Sequence, residues 1–124
     1  MSMEKTGEEL EERVALSMLY DFYGALLKES RRRMFAASVL EDYSFSEIAE
    51  QEGISRQGAY DAIKRATRQL REYEEKLGLV ARFEHQKEMV KRLREELRRQ
   101  QIPPEQEASW KKIYKLLEEI LDEM

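Results

Sequence analysis

The chain has 124 residues, a net charge of −4, 41% hydrophobic and 39% charged side chains, five Gly, two Pro and no Cys. That length allows one ordinary domain or a compact head with an extended tail, and it excludes a second large core. The lack of Cys excludes a disulfide scaffold, a thiolate zinc site and a cysteine nucleophile, while few Gly and Pro among many charges favour an all-α chain over sheets.

Met1-Ser2-Met3 places two start-like Met residues around one Ser and reads as a cloning remnant before a native Met3. From about Glu8, the residues Leu10, Val14, Met18, Leu19, Phe22, Tyr23, Leu26 and Leu27 recur at steps of three and four, one side of a long helix expected to close the core. Glu8, Glu9, Glu11 and Glu12 suit the positive end of its dipole. Ser30 is placed to cap a second helix from Arg31, carrying Met34, Phe35, Ala37, Val39 and Leu40 inward, until Asp42-Tyr43-Ser44 breaks it. Arg31, Arg32 and Arg33 are adjacent, so they point in different directions on a helix and cannot act as one phosphate patch.

Phe45 to Arg65 reads as two short helices joined by a tight turn, a helix-turn-helix. Ile48 and Ala49 form the inward side of the first helix. Gly53 stands where a helix must end in a residue tolerant of positive φ, and Ile54 plugs the turn. Ser55 can accept from the free N–H groups of the next helix, whose apolar face is Ala59, Ala62, Ile63 and Ala66. In this motif the second helix enters the DNA major groove and presents its N-terminal residues to base edges. Those residues are Arg56, Gln57, Tyr60, Asp61 and Lys64, with Arg65, Arg68 and Arg71 further along to hold phosphates. The plainer alternative is a packing unit that needs a Gly turn and a Ser cap and whose charges form a solvated face.

The second helix continues through Leu70, Tyr73 and Leu77 to a stop or kink at Gly78. Then Leu79, Phe83, Gln86, Val90, Leu93 and Leu97 form a short heptad seam with one polar position. Such a seam folds onto the first helix of its own subunit or pairs two subunits into a homodimer, and both arrangements fit the spacing. Gln100 to Pro104 ends it. A last amphipathic helix carries Trp110, Ile113, Tyr114, Leu116, Leu117, Ile120 and Leu121, too apolar a set to stay exposed. The expected organisation is a head over residues 8–77 and a helical extension over residues 78–124 that packs on the head or on a second subunit. No apolar run reaches the length of a membrane span and the acidic start lacks a signal-peptide core, so no membrane insertion and a cytoplasmic location are expected.

Charge is uneven along the chain. Residues 1–30 hold three basic and seven acidic groups, residues 31–71 eight and six, and residues 72–124 eleven and thirteen. The positive balance surrounds the motif alone, a local footprint for nucleic acid and a weak one.

Residues Leu26 to Leu70 resemble region four of bacterial sigma factors, in Ser44-x-x-Glu47-Ile48-Ala49, then Gly53-Ile54-Ser55, then a basic helix. The closer resemblance is to the YlxM-like family, carried by Leu19-Tyr-Asp-Phe-Tyr-Gly-Ala-Leu-Leu27, Ser46 to Glu50, Ser55 to Arg65 and Tyr73 to Leu77. That resemblance covers about two-thirds of the chain. It implies an all-α protein encoded beside components of the signal recognition particle and proposed to assist or regulate that pathway. Gly58-Ala59 departs from the family habit of Ala followed by a larger aliphatic residue, and Gly inside a helix costs about 1 kcal/mol relative to Ala.

Three functions fit these features. One is a regulator reading a short DNA duplex. Another is an accessory factor that binds signal-recognition-particle RNA or the particle's GTPase proteins; the narrow A-form major groove restricts RNA contact to phosphates, 2′-hydroxyls or an irregular loop. The third is a protein-interaction module that keeps the motif as scaffold. An enzyme is not expected. His85, the single His, sits among Glu84, Gln86, Lys87 and Glu88 on a polar helix, and no phosphate loop, metal-ligand spacing or cofactor motif occurs.

Overall fold

A computed structural model describes residues 6–124; the Met1-Ser2-Met3 reading lies outside them. All regular elements among the described residues are helical: α1 (Gly7–Tyr23), α2 (Glu29–Val39), α3 (Phe45–Glu52), α4 (Arg56–Leu77), α5 (Leu79–Arg98) and α6 (Glu107–Glu123). Short 3₁₀ turns lie at Gly24–Leu26 and Pro104–Gln106. The fold is all-α. The chain divides into two compact units, Met1–Val80 and Ala81–Met124.

In the first unit α1 starts after Thr6, whose Oγ1 accepts from the Glu9 amide at 3.1 Å. Leu16, Leu19 and Tyr23 are buried, whereas Leu10 and Val14 are 52% and 65% exposed. The expected inward stripe thus holds only for the second half of the helix, and its first two turns bury nothing. Helix α2 begins at Glu29, earlier than the cap at Ser30 would have it. The Arg32 amide already donates to the Lys28 carbonyl at 2.9 Å, so Ser30 lies inside the first turn and caps nothing. The break after α2 is held by Arg13, which donates to Asp42 Oδ1 at 2.7 Å and to the Val39 carbonyl at 2.6 Å. Asp42 takes a positive φ of 60° there.

Helix α4 is the central element and packs on α1, α2 and α3. Two apolar clusters meet along it. Ala66 and Leu70 join Leu16, Leu19, Tyr23, Leu27, Phe35 and Val80, while Ala59 and Ile63 join Met34, Ala37, Ile48 and Ala49. Phe35 and Leu70 are fully buried, and side chains of that size each contribute about 1.5–3 kcal/mol over an exposed position. At the far end Gly78 (φ 62°) closes α4. The buried Tyr23 hydroxyl donates to Glu74 Oε1 at 2.6 Å and accepts from the Leu79 amide at 3.0 Å, and the Val80 amide reaches the same carboxylate oxygen at 2.9 Å. Burial raises the Tyr23 pKa above its usual value, and the hydrogen bond to Glu74 raises it further.

Within the second unit, the half-buried side of α5 is Phe83, Lys87, Val90, Arg94 and Leu97, at steps of four, three, four and three. The expected seam shares Phe83, Val90 and Leu97 with it, but Gln86 and Leu93 are exposed. Lys87 and Arg94 take their places because long stems cover apolar surface while their charged heads find partners. Lys87 Nζ lies 6.0 Å from the Phe83 ring centre, and Arg94 Nη1 lies 3.5 Å from Glu118 of α6. Leu117 is the buried residue of α6, and Ile113, Leu116 and Ile120 are exposed in the single chain.

Candidate nucleic-acid interface

Local chemistry fixes the helix-turn-helix. Ser44 Oγ accepts from the Glu47 amide at 3.1 Å, and the Ser44 amide donates back to Glu47 Oε1 at 3.3 Å, a capping box that starts α3. Gly53 takes φ 68° and the Ile54 amide donates to the Ala49 carbonyl at 3.0 Å, ending α3 in the left-handed region. Ile54 is 41% exposed and does not plug the turn as its apolar character predicts. Ser55 Oγ accepts from the Gly58 amide at 2.9 Å and starts α4. Ala59 and Ala66 are fully buried, and their small side chains permit close helix approach.

This frame turns the opposite side of α4 outward. Gln57, Asp61, Lys64 and Arg68 recur at steps of four, three and four, so they share one exposed face. Arg65 is exposed on one flank of that face, and Arg56 and Tyr60 are exposed on the other. Gln57 Nε2 donates to Asp61 Oδ1 at 3.0 Å, which leaves the Gln57 oxygen and a second N–H directed by a fixed amide. Those are the two groups needed to pair with the N6 and N7 edge of adenine.

Phe45, the first residue of α3, joins the site as well. Its ring meets Tyr60 edge to face at 5.3 Å, Arg56 lies 5.9 Å from the Phe45 centroid, and Lys64 lies 5.8 Å from the Tyr60 centroid. The result is a ladder of two rings with a cation at each end that restrains Arg56 and Lys64 at the start of the helix. Sequence reasoning missed Phe45, although an aromatic at the first position of α3 is a signal when another stands on the outer flank of α4. Beside Arg56 an open cleft of about 480 Å³ is lined by Arg13, Ser44, Phe45 and Ser46, among others.

Not every nearby cation is available. Arg71 pairs with Glu12 of α1, so it is withdrawn from the phosphate role its position in the sequence suggests. Arg33 grips Glu52 through two hydrogen bonds at 2.7 and 2.8 Å, and Arg31 donates to Gln69 at 3.2 Å. The Arg33 guanidinium holds the Glu52 carboxyl below its ordinary pKa. Lys64, Arg65 and Arg68 form no ion pair among the described residues. They are the cations left for phosphate.

Among the described residues no group of three His, Asp or Glu side chains could hold a metal ion, and His85 is exposed on α5. No helix there is long and apolar enough to cross a membrane.

Residues 10–121 match the profile of the UPF0122 family, described as "Putative helix-turn-helix protein, YlxM / p13 like". The chain belongs to the UPF0122 family. It is similar to UPF0122 protein YlxM of Bacillus subtilis, 42% identical over 95 residues that cover 77% of this chain and 80% of that protein. A UPF0122 protein of Geobacillus kaustophilus is 44% identical over 90 residues, 73% of this chain and 82% of its own. One from Thermoanaerobacter is 43% identical over 112 residues, 88% and 90% of the two chains. The UPF0122 match extends from α1 into α6, and the family's description agrees with the motif built by α3 and α4.

Proposed function

We propose that this UPF0122 chain is a non-enzymatic, cytoplasmic nucleic-acid-binding accessory or regulatory protein, acting through α4 in the signal recognition particle pathway. The observation that carries the nucleic-acid reading is the exposed face of α4, where Gln57, Asp61, Lys64 and Arg68 align beside the Arg56–Phe45–Tyr60–Lys64 ladder. A base-pairing amide and unpaired cations on one helix face are the two contact classes a groove reader combines. The ligand is a DNA duplex or the particle's RNA, with the particle's GTPase proteins as further partners; the pathway link rests on the family resemblance. Pairing of two chains would present two such helices, as two-fold readers do.

A protein-interaction module is the second reading. It is favoured by a net charge of −4, by Asp61 on the outward face, and by the pairing of Arg33 and Arg71 with carboxylates of the same chain. Fluorescence-anisotropy titration against selected duplex DNA, random duplex and signal-recognition-particle RNA separates the two. Binding of a duplex above random sequence, or of the RNA, supports the proposal. No binding of any of them at low salt rejects it in favour of the module.

A further inference from the structure

We infer that the exposed apolar stripe of α6 is a self-complementary surface that binds a second copy of this chain, with the two α6 helices antiparallel across a two-fold axis near Leu116. The inference deepens the chain pairing named above, and it stands independently of what α4 binds.

Residues 99–106 join α5 to α6, and Glu118 of α6 meets Arg94 at 3.5 Å and Arg98 at 3.9 Å. The packed positions include Val90 and Arg94 on α5 and Tyr114, Leu117 and Leu121 on α6. The exposed apolar positions each come one residue earlier: Met89 and Leu93, then Ile113, Leu116 and Ile120. One residue is about 100° of helix turn, so on each helix these positions stand beside the packed side. On α6, Ile113, Leu116 and Ile120 follow at steps of three and four and make one stripe, with exposures of 44%, 60% and 48%.

Leu117 is the one buried side chain of the second unit. A unit this small rarely gains more than about 3–5 kcal/mol from its own core, and oligomerisation is a common remedy. The charges of α6 say what covers the face. Lys112 and Lys115 lie in its first half and Glu119 and Glu123 in its second, and none of the four forms an ion pair among the described residues. Lys112, Glu119 and Glu123 share the outer edge of the Ile113–Leu116–Ile120 stripe. A two-fold axis through Leu116 sets each Lys112 opposite the partner's Glu119 at that edge, while the apolar stripe packs on itself. A pair closed in this way has an isologous interface.

Sedimentation equilibrium of the full chain at micromolar concentrations tests this, with circular dichroism to confirm that each variant stays helical. The wild type is expected as a dimer, and Leu116→Glu as a monomer. Lys112→Glu should weaken association roughly fivefold, the effect of two symmetry-related exposed pairs, and the double variant Lys112→Glu/Glu119→Lys should restore it. Should Leu116→Glu lose its helicity, the charge exchange decides alone. A monomer at every concentration overturns the proposal, as does a dimer indifferent to Lys112→Glu or one that the exchange fails to restore. Anisotropy titrations with the same variants keep this result separate from nucleic-acid binding, because none of the changes touches α4.

Discussion

At the scale of single residues, the two glycines of the helix-turn-helix behave differently under the same substitution. Gly53 has open space around a Cβ but a φ of 68°, so Gly53→Ala should cost about 1–2 kcal/mol through backbone conformation alone. Gly58 is helical, and Ala there gains about 1 kcal/mol of helix propensity. Its Cβ, however, would stand 3.1 Å from Ser55 Oγ, the atom that caps α4, and a lost cap costs about 1 kcal/mol. Gly58→Ala should therefore be close to neutral, and urea unfolding of the two variants checks both values. A strong stabilisation by Gly58→Ala would mean that the cap shifts without cost. Gly53 and Ser55 were legible in the sequence because a turn glycine and a helix cap are local requirements. The loss of Arg71 to Glu12 was not, because the two residues are 59 positions apart and only the packing of α1 on α4 brings them together.

At the scale of elements, two long-range ties give pH dependence of opposite sign. Tyr23 joins α1 to the α4–α5 turn as a neutral donor, and its pKa is raised above 10.0 mainly by burial. The tie is fully present below about pH 10 and is lost as the pH rises further, since the unfolded chain gives up that proton first. Unfolding free energy measured against Tyr23→Phe should differ most at neutral pH, and the difference should shrink at alkaline pH. Glu52 joins α3 to α2 as a charged acceptor, with its pKa lowered from 4.5 chiefly by the hydrogen bond from Arg33. Its contribution is present above that ordinary value and disappears as the pH falls, so the difference between wild type and Glu52→Gln should shrink under acid. A difference independent of pH at either end would contradict the corresponding tie. Spacing at three and four located all the helices, yet it misplaced their faces where neighbours decide: Leu10 and Val14 lie on turns of α1 that bury nothing, and Arg94 replaces Leu93 on the packed side of α5. Apolar character predicts burial only where another element arrives to cover it.

For the whole molecule, the net charge of −4 opposes any polyanion, so binding depends on the few cations that α4 keeps outward and unpaired. A phosphate contact and a base contact fail in different ways, and that difference tests the central claim most directly. The measurement is a salt-dependent anisotropy titration of wild type, Arg68→Ala and Gln57→Ala against a selected duplex and a random one. Arg68→Ala should weaken both duplexes alike and reduce the log–log salt slope by about 0.9, the release from one phosphate. Gln57→Ala should cost about 1–3 kcal/mol on the selected duplex, little on the random one, and leave the slope unchanged. If both variants bind both duplexes as the wild type does, α4 is not the recognition helix and the account is wrong.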